Sequence, residues 1–448
     1  MFLLVYYKSS YVARYVSNSN IVNINILKVF KIKQPDKNPL GNSPLDIESL
    51  ASPSARSIGK GSSTDAGRSW TLPTNHPDPI VLAGGIPDTE TLPVTDLRET
   101  INNVLDNEAG EALRYGGWLG FDGLRSAIAL RQSKLEKLSL TEDNFILHNG
   151  SSGSLDNICQ AFIEPDDIVV VEGPSYSGTV RTIRGYMANV IEAPLDEEGL
   201  SVKALLKIIH DAKLGNKRVK LLYTIPDFHN PTGVTMTLQR RQQLAEICNN
   251  NHILIVEDRA YTELYFKQNS PQSIYDITNG YGTIQIGSFS KTIATGIRVG
   301  WIMADPEYIE VLERVRFDMG NSPLLHRALA QYLTSGKLDS HLSKMRPLYD
   351  EKCAVLCKSL MDYCHPYVTF TPPEGGFFLW VECLGASSQQ LVNAASEEGL
   401  QFPTGATFFK DGYNTDQNHI RLAFSNCNID QLSQVGLRLR DAFHRIVD

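Results

Sequence analysis

The chain has 448 residues, of which 42% are hydrophobic, 21% charged and 9% aromatic, and its formal net charge is −8. This composition excludes a collagenous, low-complexity or wholly disordered protein, and the length suffices for two or three domains. The acidic balance argues against broad binding of nucleic acid, and the apolar runs are too short to cross a bilayer, so we expect a soluble protein with neither kind of partner.

Residues 1–34 carry five basic residues and no acid, without a sustained helical or strand period. Clusters of Pro, Gly and Ser follow, so residues 1–75 are expected to be an irregular, disordered extension or a misassigned start. The seven cysteines lack zinc-site spacing, which predicts reduced thiols in the cytoplasm and no metal. A transit peptide to the mitochondrial matrix is the alternative, although one arginine is few for it.

From about Ile80, short β-branched runs alternate with helical patterns. The predicted strands are Asp167–Val171, Val219–Tyr223, Ile253–Val256, Thr283–Ile286 and Val299–Met303. The predicted helices among them include Leu155–Phe162, Val202–Ala212 and Leu238–Asn249. This alternation predicts an α/β fold, a mostly parallel sheet with helices on both faces.

The pattern changes after Pro306, where a long helical stretch reaches about Cys364 and is followed by strand-like pieces and a closing helix from Asp430. These elements predict a second, smaller α+β domain. We expect an N-terminal segment contributing to the small domain at residues 76–110, a large domain at 111–325 and the small domain itself at 326–448.

Two loops follow predicted strands and could bind an anion. Residues 149–154, Asn-Gly-Ser-Ser-Gly-Ser, lie between a strand and a helix, where backbone amides and hydroxyls can bind phosphate, although alone they fit ordinary helix capping as well. In residues 288–301, Lys291 directly follows Ser288-Phe-Ser290, and Arg298 comes seven residues later. A lysine held as an imine with an aldehyde cofactor, with its phosphate near these residues, explains this pattern better than a solvated loop lysine.

Two further loops carry an acid and an amide after buried strands. Asp258 ends the run Ile-Val-Glu-Asp and precedes Tyr261, and Asn230 lies in the turn Phe-His-Asn-Pro-Thr-Gly. Each alone is more typical of turn chemistry. In a parallel sheet, however, loops at the carboxyl ends of the strands form one ligand site.

In this order, the four loops resemble those of fold type I pyridoxal-phosphate enzymes, the class I/II aminotransferase family. The resemblance runs from about Leu82 to the C-terminus, and the segments S-F-S-K…G-x-R-x-G-W and Y-T-x-P-x-F-x-N-P-T-G are its most specific parts. The chain looks closest to the branch with 2-aminoadipate and kynurenine aminotransferases. The same module forms the C-terminal half of certain bacterial transcription regulators.

The resemblance implies pyridoxal 5′-phosphate as cofactor and assigns roles to the loop residues. Lys291 would bond the cofactor, Asp258 would pair with its pyridine nitrogen, and Tyr261 and Asn230 would contact its phenolic oxygen. The implied ring-stacking residue is Tyr176, and the implied phosphate ligands are Gly150, Ser151, Ser152, Ser288, Ser290 and Arg298. Tyr115 would reach the phosphate of a neighbouring subunit, which implies a homodimer with shared active sites.

On the substrate side, Arg421 matches the arginine that binds the α-carboxylate, which a planar guanidinium can hold through two bonds. Gly85 would contact the same carboxylate, as would Asn230, and Phe378 and Trp380 would form part of the pocket wall or simply core. The chain departs from many relatives at Ser152, Arg259 and Thr295.

The implied activity is ping-pong transamination, from a donor of the 2-aminoadipate, aromatic or branched aliphatic type to a 2-oxo acid such as 2-oxoglutarate. One alternative is a lyase with the same cofactor, because the fold does not decide which bond breaks. A ligand-sensing regulator domain is the other alternative, but residues 1–80 lack the pattern of a winged-helix domain.

Overall fold

The computed structural model describes residues 2–7, 10–17, 20–25, 46–58, 76–410, 412 and 415–447, which fall into two compact units, Met1–Ser52 and Pro53–Asp448. The first unit contains an antiparallel sheet in chain order and a short helix: β1 (Phe2–Tyr7), β2 (Ser10–Ser17), β3 (Asn20–Asn25) and α1 (Ile47–Leu50).

These strands correct the expectation that residues 1–75 are irregular throughout. They are rich in aromatic and β-branched residues, which favour extended chain, but apolar and polar residues do not alternate in β1, so no period of two is visible. For residues 26–45 and 59–75, which lie outside the described residues, the expectation stays a prediction.

The second unit combines helices and strands over the rest of the chain. Its helices are α2 (Pro53–Ser57), α3 (Val94–Ala112), α4 (Asp122–Glu136), α5 (Gly150–Phe162), α6 (Ser177–Gly185), α7 (Val202–Leu214), α8 (Leu238–Asn250), α9 (Ile274–Thr278), α10 (Pro306–Arg314), α11 (Pro323–Thr334), α12 (Lys337–Cys364), α13 (Ser388–Glu397) and α14 (Ile429–Val447). Its strands are β4 (Ile80–Val81), β5 (Phe145–His148), β6 (Ile168–Gly173), β7 (Asn189–Asp196), β8 (Gly199–Leu200), β9 (Val219–Thr224), β10 (Leu254–Asp258), β11 (Thr283–Ser288), β12 (Gly300–Met303), β13 (Val368–Phe370), β14 (Phe378–Cys383), β15 (Leu400–Gln401) and β16 (His419–Ala423).

Eight strands form the central sheet, in the order β5, β12, β11, β10, β9, β6, β7, β8. Those from β11 to β7 run parallel, β12 is antiparallel to both β11 and β5, and β8 is antiparallel to β7. The predicted mostly parallel sheet is therefore confirmed, and the ends of the five predicted strands lie within about two residues of the observed ones.

Different helices cover the two faces of this sheet. In β6, Val169 and Val171 join one apolar cluster with α5 and α6, whereas Ile168 and Val170 join a second with α7, α8 and α9. Successive strand residues point to opposite faces, so β6 is buried on both sides. The predicted helices on both faces are thus confirmed.

A separate antiparallel sheet of β13, β14 and β16 confirms the predicted smaller α+β part of the fold. The pairing of β4 with β15 attaches residues 80–81 to the C-terminal part of the chain. The boundaries at 110/111 and 325/326 stay predictions, because residues 53–448 form one compact unit. Among the described helices, none is long and apolar enough to span a membrane.

Candidate active site

Lys291 lies three residues beyond the end of β11, where the chain turns away from the sheet. Its Nζ donates to the Gly85 carbonyl at 2.7 Å and lies 5.6 Å from the centre of the Tyr261 ring. Burial, together with the positive charges of Arg421 and Arg298, lowers the pKa of Lys291 to about 8. The amine therefore loses its proton more readily than an ordinary lysine does, which favours a nucleophile or a base.

Asp258 ends the neighbouring strand β10 and is buried. Its Oδ2 accepts a hydrogen bond from Tyr223 Oη at 2.7 Å, and its Oδ1 accepts one from the Ala260 amide at 3.0 Å. Burial raises the pKa of Asp258 to about 6, although both hydrogen bonds oppose the shift. A cationic N–H group of a ligand would restore its charge, so the site fits a protonated pyridine nitrogen.

Tyr223 has no role in the sequence prediction, although it opens the motif that leads to Asn230. It is fully buried in β9, the strand beside β10. Burial and the negative charge of Asp258 raise the pKa of Tyr223, which keeps its hydroxyl a hydrogen-bond donor. The signal in the sequence was a tyrosine near the carboxyl end of a predicted strand, the edge of the sheet at which Asp258 also lies.

The predicted phosphate ligands lie around the N-terminus of α5. Arg298 Nη1 donates to Ser290 Oγ at 3.1 Å, and Ser288 Oγ donates to Ser290 Oγ at 2.9 Å. Gly150 has a φ of +74°, and a Cβ there would lie 2.7 Å from Arg298 Nη2, so only glycine fits. Ser151 and Ser152 follow in the first helical turn. Amides, hydroxyls and a guanidinium thus surround a space suited to a phosphate group.

Arg421, in β16 of the small sheet, is fully buried. Its Nη1 donates to Asn230 Oδ1 at 3.0 Å, and its Nη2 donates to the Ala83 carbonyl. The guanidinium lies 4.5 Å from the Phe378 ring centre and 4.6 Å from that of Phe408. Burial lowers the pKa of Arg421 to about 10. The side chain therefore remains a cation at neutral pH, held in place by two aromatic rings.

Aromatic side chains line the space between Lys291 and Arg421. Tyr261 packs edge-on against Phe378 with ring centres 5.6 Å apart, and burial raises its pKa, which a hydrogen bond with Asn230 opposes. Tyr176 precedes α6, and burial raises the pKa of its hydroxyl, which the positive charges of Arg421 and Arg298 oppose. A Cβ on Gly85 would collide with the Phe378 ring. Phe378 is buried in the apolar core, and its role in the wall of a substrate pocket stays a prediction.

Tyr115 is the predicted site residue that the single chain does not bring into the pocket. Its side chain is 84% exposed. It belongs to an exposed surface that we call the aromatic patch, made of Leu113, Tyr115, Trp118, Phe317 and Met319. Trp118 and Phe317 are in ring contact, with centres 5.2 Å apart.

Arg259, one of the departures from the family pattern, points away from the site. Its Nη1 pairs with Glu136 Oε1 and its Nε with Asp227 Oδ2, both at 3.0 Å. These ion pairs connect the turn after Asp258 to α4 and to the loop before Asn230. Arg259 is therefore structural, and the second departure, Thr295, contributes its carbonyl as an acceptor for Arg298 Nη1 at 3.2 Å.

Comparison with known proteins gives a consistent result. The family model "Aminotransferase class I and II" matches residues 77–437. Aromatic-amino-acid aminotransferase 1 of Thermococcus litoralis is 34% identical over 351 residues, 78% of this chain and 84% of the relative. The 2-aminoadipate transaminase of Thermus thermophilus is 30% identical over 371 residues, 82% and 90% of the two chains. The kynurenine aminotransferase of Pyrococcus horikoshii, solved with PMP, has a TM-score of 0.82 at 30% identity, covering 90% of this chain and 99% of that one.

Proposed function

Since the chain belongs to the aminotransferase class I and II family and is a pyridoxal-phosphate-dependent transaminase, we propose that it moves the amino group of an α-amino acid to a 2-oxo acid such as 2-oxoglutarate by a ping-pong sequence. One observation carries the proposal: Lys291 Nζ and Arg421 Nη2 donate to the carbonyls of Gly85 and Ala83, two residues apart. Arg298 bonds Ser290, next to Lys291, and Asp258 ends the adjacent strand, so both also lie close to this amine. A partner for a ring nitrogen, one for a phosphate and one for a carboxylate thus surround a single amine.

The groups around Lys291 match the chemistry of pyridoxal 5′-phosphate. Asp258 would hold its ring nitrogen, Arg298 and the N-terminus of α5 its phosphate, and Tyr176 its ring face. When bound, the cofactor withdraws electrons from the Cα of the amino acid.

Three side chains of the protein have separate roles in the reaction. Arg421 holds the α-carboxylate of the substrate and so orients its Cα toward Lys291. Lys291 Nζ removes the Cα proton and, as the acid of the 1,3-proton shift, would deliver it to the cofactor rather than back to Cα; a pKa of about 8 suits both roles near neutral pH. Asp258, with Tyr223 on its other oxygen, stabilises positive charge on the ring nitrogen. Phe378 and Phe408 keep water away from the guanidinium.

We propose an amino donor of the 2-aminoadipate, aromatic or branched aliphatic type. The similarity to relatives named for aromatic and 2-aminoadipate donors supports this class, as do the aromatic side chains near Arg421. A panel of donors with 2-oxoglutarate, read by glutamate formation, tests it. Turnover of one or more of these donors is expected, with glycine much slower, and glutamate from none of them contradicts the proposal.

Arg421→Lys should separate substrate binding from cofactor binding. Lysine keeps the charge but loses the two-bond geometry, which typically costs ~1.5–3 kcal/mol, or roughly ten- to a hundredfold in kcat/KM. The loss should be similar for every α-amino acid, small for an amine without a carboxylate, and without effect on the absorption of the bound cofactor. Arg445→Lys, at an exposed surface ion pair, is the matched control. A loss that varies with the donor side chain would place Arg421 in the side-chain pocket instead.

We also propose a homodimer in which Tyr115 reaches the partner's phosphate site. The aromatic patch around Tyr115 supports this, because exposed apolar surface of this kind marks protein interfaces. The aromatic patch also lies near the phosphate site of its own chain. Asn321, two residues after Met319 of the patch, donates through Nδ2 to Oδ1 of Asn149, which precedes Gly150, at 2.7 Å.

Mixing Lys291→Ala and Tyr115→Phe subunits should therefore restore activity. Half of the sites in such a hybrid combine an intact Lys291 with an intact Tyr115, so the mixture should exceed the mean activity of the two separate variants. Activity that never exceeds this mean after subunit exchange, or a monomeric active protein by light scattering, would contradict the shared site.

A further inference from the structure

A buried ion pair lies outside the cofactor pocket, between residues 82–88 and helix α12. Lys352 is 2% exposed, and its Nζ donates to Asp88 Oδ2 at 2.7 Å and to the Ser425 carbonyl at 2.9 Å. The other carboxylate oxygen, Asp88 Oδ1, accepts the Glu90 amide at 3.0 Å. Burying such a pair is costly, and apolar residues of similar volume are often at least as stable. Stability alone therefore does not account for it.

Residues 82–88 supply backbone acceptors to two residues of the site. The Gly85 carbonyl accepts from Lys291 Nζ at 2.7 Å, and the Ala83 carbonyl accepts from Arg421 Nη2. The Phe378 ring leaves no room for a side chain at Gly85. A shift of this segment would therefore disturb the reacting amine and the guanidinium together.

The two ends of the segment are held differently. At Leu82 the backbone continues the pairing of β4, with the Leu82 amide donating to Gln401 O and the Ala423 amide to Leu82 O, both at 2.8 Å. Asp88 lies in a turn outside any strand. There the Asp88 amide donates to Tyr349 Oη at 3.1 Å, and Lys352 holds the carboxylate. Side chains of α12 thus hold Asp88 itself, and the residues on either side of it are bonded by Ser425 Oγ, which donates to the Ile86 carbonyl at 2.6 Å, and Asn426 Oδ1, which accepts the Thr89 amide at 3.1 Å.

We infer that Lys352 is a positioning residue for the proposed transamination, and the inference rests on that function. Through Asp88 it holds residues 82–88 so that Ala83 and Gly85 keep Arg421 and Lys291 in register with the substrate. Lys352 itself contacts neither substrate nor cofactor. The phosphate and pyridine contacts lie on other elements, so loosening the segment should weaken substrate binding and leave the cofactor bound.

The test compares Lys352→Met with Lys358→Met, which removes an exposed lysine of the same helix that pairs with Asp362. In Lys352→Met, KM for both amino donor and 2-oxo acid should rise about tenfold, and kcat should fall by a smaller factor, because the Lys291 amine is displaced together with the Arg421 guanidinium. Cofactor content and absorption should match the wild type. In cofactor-free protein, amide hydrogen exchange at residues 82–91 should be faster than in Lys358→Met.

Lys352→Met leaves the buried carboxylate of Asp88 without its lysine, and this alone can unfold the protein, so a second variant is needed. Asp88→Asn/Lys352→Met leaves no unpaired charge and should show the same rise in KM and the same faster exchange. If either folded variant keeps wild-type KM and wild-type exchange, with or without a lower melting temperature, the inference is overturned. Whether the wild type turns over in the same assay tests the proposed function. The hydrogen-exchange measurement does not depend on turnover, so it tests the role of Lys352 even if the proposed function is wrong.

Discussion

Lys291→Ala should lower kcat/KM by on the order of 10⁴-fold or more while the protein stays folded. The substitution removes both the amine that bonds the cofactor and the base that moves the Cα proton, and general acid–base catalysis alone contributes about 10²–10⁴-fold. The phosphate ligands and Asp258 remain, so pyridoxal phosphate should still bind, although borohydride should no longer fix it to the protein.

Three comparisons make this result specific. In the wild type, borohydride should attach the cofactor to the peptide that contains Lys291, as read by mass spectrometry. Lys267→Ala removes an exposed lysine that has no role in the proposed site, and this variant should behave as the wild type. A small exogenous amine should restore part of the lost activity, because it can act as the missing base. Cofactor attached to another lysine would show that Lys291 is not the residue that bonds the cofactor.

Asp258→Asn should lower kcat by on the order of a hundredfold or more. Asparagine has nearly the same shape and can accept the Tyr223 hydrogen bond, but it carries no charge to hold a proton on the ring nitrogen. Loss of one preorganised electrostatic contact to developing charge costs about 10²–10³ in kcat. The bound cofactor should remain, and exchange of the substrate Cα proton should slow in proportion.

An exposed carboxylate provides the control for this substitution. Asp211 pairs with Lys207 on the surface of α7, and Asp211→Asn should leave kcat unchanged. Asp258→Asn with near wild-type kcat, or with loss of the cofactor, would mean that another group partners the pyridine nitrogen.

The sequence alone predicted the parts of the fold and site that depend on local pattern. The parallel strands followed from short β-branched runs, and Lys291, Arg298 and Asn230 followed from compact motifs after those strands. Arg421 lies far from them along the chain, and only the family resemblance linked it to the site. The structure places it in hydrogen-bond contact with Asn230.

What the sequence did not predict depends on contacts between distant segments. Phe408, which packs on Arg421, is an ordinary apolar position in its own segment, and the place of Tyr223 at the end of a strand does not by itself show that its hydroxyl bonds Asp258. The pair of Asp88 and Lys352 joins residues 264 positions apart, and no local pattern reports such a contact. Tyr115 is a different case, because its proposed role requires a second subunit.

The central claim, transamination by this pocket, is tested most directly by following one amino nitrogen through two separate half-reactions. Protein loaded with pyridoxal phosphate is first given an isotopically labelled amino donor without acceptor, freed of excess donor, and then given 2-oxoglutarate. We predict about one equivalent of 2-oxo acid per subunit in the first step and about one equivalent of labelled glutamate in the second. Labelled ammonia in the first step, or no labelled glutamate in the second, would contradict transamination and point to elimination chemistry instead.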